Sequence, residues 1–81
     1  MKTMPIKITG INDMTNFVKA AAAVLGDVTC RKGKYVVDGK SLLGVMSIDL
    51  STGVIVEYPN DAIDFEEFLN TLNNQIKTFW I

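Results

Sequence analysis

Few residues in this 81-residue chain could do chemistry. They are the single cysteine, Cys30; the pair Lys40 and Ser41, which heads an apolar run containing Leu42, Leu43, Val45 and Met46; and Asp13, near the start of a helical pattern. Histidine is absent. Without it no Cys-His or histidine-based metal or haem site can assemble, and histidine is excluded as general base, nucleophile or phosphoryl acceptor. One cysteine cannot close an internal disulfide. Cys30 falls with Val28 on the core-facing side of an alternating stretch, where a thiol acts as a small buried hydrophobe. Ser41 is placed to cap the helical turns that follow it, as serine commonly does. A phosphate at such a position would gain about 0.3–1 kcal/mol from the helix dipole.

Charge is distributed unevenly. Arg31, Lys32, Lys34 and Lys40 face Asp38 alone between residues 31 and 40, so that edge reads as locally positive: either a solvated turn or a patch for a phosphate or an acidic partner. Glu57, Asp61, Asp64, Glu66 and Glu67 collect near the start of the last helix and complement its dipole; no Asp-x-Asp-x-Asp-Gly calcium loop is present. Eight basic and nine acidic residues leave a net charge of −1, which argues against a general nucleic-acid binder.

The elements that must position these residues follow from periodicity. Residues 4–9 alternate as a short strand, with Pro5 marking an edge or a strand start. Met14, Phe17, Val18, Ala21, Val24 and Leu25 form a helical stripe, with Asn12 or Asp13 as N-cap and Gly26 just past the end. Residues 27–32 and 35–37 form a hairpin around Gly33. A turn at Asp38-Gly39 leads to one or two helical turns over residues 41–47, and a strand at residues 54–58 follows the Ser51-Thr52-Gly53 turn. The last and strongest stripe is Phe65, Phe68, Leu69, Leu72, Ile76 and Phe79, with Asp64 and Glu67 spaced as a capping box; Trp80 and Ile81 either close the core or fray.

The order β-α-β-β-α-β-α predicts one α+β domain over residues 1–81, a four-stranded antiparallel sheet covered on one face by helices. Mean hydropathy is +0.23, yet the longest apolar run, residues 20–25, is far short of the about 20 residues a bilayer span needs. The N-terminal residues show no apolar signal core, and the expectation is a cytoplasmic protein.

Taken together, Phe17-Val18-Lys19-Ala20-Ala21, Lys40-Ser41-Leu42-Leu43-Gly44-Val45-Met46-Ser47, and Gly53 before a β-branched strand resemble HPr, the small phosphocarrier family of the bacterial sugar phosphotransferase system (PTS). The resemblance runs without gaps over roughly residues 6–72, and the Lys-Ser-Leu-Leu-Gly-Val-Met-Ser stretch is its specific part. It implies the HPr-like open-faced sandwich. It also implies a phosphoryl-accepting histidine at the head of the first helix, in a Gly-aliphatic-His-Ala-Arg-Pro-Ala segment. This chain departs there. The gapless register puts Gly10 at the histidine position, Asn12 at the arginine and Asp13 at the proline, whereas aligning the Gly-aliphatic pair puts Asn12 at the histidine position. Neither residue can carry a phosphoramidate. Passage of phosphate through Asp13 as an acyl phosphate is the weaker alternative, since no arginine accompanies that carboxylate.

The family's second site is retained. In HPr proteins of low-GC Gram-positive bacteria, and in their histidine-less Crh-like relatives, the serine of this stretch is phosphorylated by an ATP-dependent HPr kinase, and the product acts as corepressor for a catabolite regulator. The resemblance therefore implies a non-enzymatic regulatory protein of carbon catabolite control, with no cofactor or metal, phosphorylated at Ser41, and with Lys40, Leu42, Leu43 and Met46 as its partner-binding residues. The alternative is that the fold is kept as an interaction or ligand-binding module unrelated to phosphotransfer.

Overall fold

The strand and helix patterns resolve, in a computed structural model, into seven elements: β1 (Lys2–Ile6), α1 (Ile11–Ala22), β2 (Thr29–Lys32), β3 (Tyr35–Asp38), α2 (Leu42–Met46), β4 (Val54–Tyr58) and α3 (Ile63–Trp80). The structure describes the backbone of residues 1–80 and the side chains of residues 1–73. The expected order is thus observed. The four strands form one antiparallel sheet in the order β1-β4-β2-β3.

Register explains which side chains meet. Met4 pairs with Val56, Val56 with Cys30 and Cys30 with Val37, so these side chains share the face under the helices. The next row, Pro5, Ile55, Arg31 and Val36, lies on the other face, where Ile55 and Val36 are exposed. Pro5 sits on an edge strand, where a missing N–H is tolerated. β2 and β3 are joined by two residues, Gly33 and Lys34; the positive φ of Gly33 (59°) at the first of them matches a type II′ hairpin turn.

Several boundaries differ from the periodicity, among them the start of β2, at Thr29 rather than at residue 27. β1 starts two residues and ends three residues earlier than expected, because Ile6 pairs with Val54 and β4 begins there; Ile8 is buried beyond the ladder, its N–H donating to Leu50 O at 3.1 Å. α1 is capped by Gly10, not by Asn12 or Asp13, which lie in its first turn, where the Asp13 charge suits the dipole. It ends at Ala22 because Ala23 N–H and Val24 N–H turn back to Ala20 O and Ala21 O. Leu25 therefore leaves the helical stripe and is 93% exposed. In α3, Asp64 is the second helical residue rather than a cap, because turns from Pro59 and Asp61 start the helix at Ile63.

The core is centred on Phe65, whose ring lies 5.8 Å from Phe17, 5.6 Å edge-on from Tyr58 and 6.4 Å from Phe68. Leu69 and Leu72 continue the stripe into the buried layer; Ile76, Phe79, Trp80 and Ile81 lie outside the described side chains.

The Tyr58 ring is buried, and its hydroxyl donates to Glu66 Oε2 at 2.7 Å, which Lys2 Nζ also approaches at 3.1 Å. The Tyr58 hydroxyl first, and Lys2 second, hold the Glu66 carboxyl below its ordinary range. A depressed folded-state value stabilises the fold fully above the unfolded carboxylate pKa of about 4.3, and that contribution is lost as pH falls through the lower folded value. Tyr58→Phe should therefore lose stability less steeply than the wild type on acidification below about pH 4, read from urea midpoints across pH. Parallel pH profiles would mean that the hydroxyl does not hold Glu66 ionised.

Candidate functional site

Ser41 lies between β3 and α2, and a compact turn fixes it there. Ser41 N–H donates to Asp38 O at 3.1 Å, Lys40 N–H donates to Asp38 Oδ1 at 2.9 Å, and Gly39 N–H donates to Val28 O at 2.8 Å. Glycine is required at 39 by space: a Cβ there would sit 2.7 Å from Val28 Cγ1, and Val28 is buried. Ser41 has extended backbone angles (φ −107°, ψ 116°), and its Oγ accepts from Gly44 N–H at 3.2 Å, as the sequence predicts for an N-cap. Because Oγ accepts in this bond, its own proton is not used in holding the cap.

α2 presents its side chains unequally. Val45 is fully buried, Leu42 and Met46 are exposed, and Leu43 is 84% exposed. The structure therefore brings Ser41, Leu42, Leu43 and Met46 onto one small surface.

Lys40 does not join them. Its Nζ reaches back to donate to Val24 O at 2.8 Å, closing the end of α1 onto the turn before α2. This contact spans sixteen residues and has no local sequence signal. It leaves Asp38 as the charged group hydrogen-bonded into the Ser41 turn. Lys40→Met, which keeps the length and removes the donor, should cost about 1 kcal/mol in chemical denaturation and speed amide exchange at the end of α1. Unchanged exchange at Val24 and Leu25 would show that the contact carries no energy.

The basic edge expected between residues 31 and 40 is partly neutralised, at Arg31 and Lys32. Arg31 donates from Nε (3.0 Å) and Nη2 (2.7 Å) to Glu57 Oε1. Lys32 Nζ donates to Asp49 O at 2.7 Å and to Thr52 Oγ1, with the Asp49 carboxylate 3.8 Å away. Cross-strand and cross-loop partners, invisible to local counting, meet these two charges; Lys34 and Lys40 form no ion pair among the described residues.

Cys30 is fully buried, and burial first and the Asp38 carboxylate second push its thiol up to about 12. It is a core hydrophobe, not a thiolate nucleophile. Among the described residues no group of three or more Cys, Asp or Glu side chains is arranged to hold a metal ion, and no helix is long and apolar enough to cross a membrane. Gly10 occupies the N-cap of α1 with open space where a side chain would project; Asn12 and Asp13 follow in the first turn.

The family model for the PTS HPr component phosphorylation site matches residues 13–78. The chain belongs to the HPr family. A comparison with curated proteins finds no match. The four-stranded antiparallel sheet with three helices is the HPr-like open-faced sandwich, and HPr-family proteins are phosphocarriers that meet PTS proteins and kinases. In this HPr-family chain the match begins at Asp13, beyond both Gly10 and Asn12, and covers Lys40, Ser41 and all of α2.

Proposed function

We propose that this protein is a non-enzymatic, cytoplasmic regulator in the PTS and carbon catabolite network that does not carry phosphate on histidine and is switched by phosphorylation of Ser41. The observation that carries the reading is Ser41 as N-cap of α2, its Oγ on Gly44 N–H, beside the exposed Leu42, Leu43 and Met46. An HPr kinase-like enzyme would transfer the γ-phosphoryl group of ATP to Oγ, its base taking the serine proton and ADP leaving. The phosphate oxygens would keep the cap, now as charge-assisted acceptors of backbone N–H groups.

The surroundings make the change large. Lys40 is held at Val24 O and Asp38 is hydrogen-bonded into the same turn, so added phosphate meets little local screening. An almost uncharged apolar surface becomes one with close to two negative charges at its edge. A partner with arginine or lysine beside an apolar socket would distinguish the two forms, and the catabolite regulator implied by the family is the expected one. Incubation with HPr kinase and ATP, followed by peptide mass spectrometry, tests this: the peptide containing Ser41 should gain one phosphate, and an unmodified protein would refute it.

A second reading has observational support of its own. Tying up Lys40 and Arg31 while exposing Leu43 favours a face that binds partners through apolar contact, independent of phosphotransfer. Recovery of partners outside the PTS and catabolite regulators by the unphosphorylated protein, lost in Leu43→Asp, would favour it.

A further inference from the structure

Leu25 and Ile63 are large apolar side chains exposed at 93% and 66%, and they line the same groove. The groove runs between the end of α1 and the start of α3, has small Ala20, Ala23 and Ala62 among its walls, and encloses about 260 Å3. A water molecule's share of liquid is about 30 Å3, so there is room here for a side chain. Asp61 and Asp64 also line it, and neither forms an ion pair among the described residues. The α1 wall is that helix's last turn, which carries the negative end of its dipole. Lys40 offsets part of this field where it holds Val24 O. The dipole at the start of α3 gives Asp64 a structural use, but it does not explain two exposed aliphatic side chains facing one groove. The larger clefts near Arg31 and Lys32 offer less, because those cations already have partners.

We propose that this groove docks a segment of a partner protein that presents an aliphatic side chain flanked by lysine or arginine. The aliphatic group would lie between Leu25 and Ile63, and the flanking cations would face Asp61 and Asp64. This surface is distinct from Ser41 and the exposed face of α2, and it does not depend on phosphorylation there.

A capped Lys-Leu-Leu-Lys peptide, titrated into the full-length 15N-labelled protein, is the probe. Amide shifts should concentrate at Ala20, Ala23, Leu25, Ala62 and Ile63. Asp61→Asn and Asp64→Asn should each weaken binding about two- to fivefold at low salt, with the difference shrinking as salt rises. Ile63→Ser should weaken it at least about tenfold. These positions are exposed, so the variants should keep the wild-type spectrum elsewhere, and Ser41→Ala should bind normally. Shifts centred on Leu42, Leu43 and Met46, equal binding of a Glu-Leu-Leu-Glu peptide, self-association instead of peptide binding, or no binding would each overturn the proposal.

Discussion

Phe65→Ala is expected to cost about 3–5 kcal/mol, the range for truncating a buried aromatic ring to alanine. Phe65 is 3% exposed and is the ring common to three aromatic contacts, with Phe17 from α1, Tyr58 from β4 and Phe68 from its own helix. Removing it opens a cavity where the helices meet the sheet, and close-packed surroundings relax into such a cavity only in part. Domains of this size hold on the order of 4–12 kcal/mol in total. The melting temperature should fall by more than about 12 °C, with Phe65→Leu losing much less. A Phe65→Ala melt within about 5 °C of the wild type would mean that this cluster is not the centre of the core.

Ser41→Ala is expected to have the largest functional effect, complete loss of kinase-dependent phosphate incorporation, whereas Ser47→Ala should be labelled like the wild type. The two serines bracket α2 and both bond to Gly44, but in opposite senses: Ser41 Oγ accepts from Gly44 N–H, and Ser47 Oγ donates to Gly44 O at 2.6 Å. Only a phosphate at Ser41 would meet the free N–H groups of a helix start; at Ser47 it would face carbonyl oxygens. Ser41→Ala also removes a cap worth about 1 kcal/mol, so its circular-dichroism melt must accompany the labelling. Incorporation that persists in a folded Ser41→Ala protein would move the modification elsewhere.

What could be read from the sequence was what depends on near neighbours. The alternation of Val54, Val56 and Tyr58 gave β4 its observed bounds, the hairpin closed at Gly33, and the serine before the apolar turn proved to be its cap. The features that escaped depend on distant partners. Leu25 continues the apolar period of α1, but the helix unwinds at Ala23, so period alone buried a side chain that the fold exposes. Lys40 stands next to Ser41 in sequence and points to Val24, and Arg31 is spent on Glu57 across the sheet. The positive edge read from residues 31–40 is therefore reduced, since Arg31 and Lys32 meet Glu57 and Asp49, while Lys34 and Lys40 form no ion pair among the described residues. The capping-box spacing of Asp64 and Glu67 was likewise outweighed by the Pro59 turn that starts α3 one residue before Asp64.

The central claim is that this HPr-family chain receives phosphate on Ser41 from a kinase and none through the phosphocarrier route. Intact-mass measurement of the wild-type protein after two parallel incubations tests it most directly, one with ATP and HPr kinase, the other with phosphoenolpyruvate and the general PTS enzyme. The account predicts a single added phosphate in the first, located at Ser41, and no change in the second. Phosphate gained from phosphoenolpyruvate, or none gained from ATP, would contradict it.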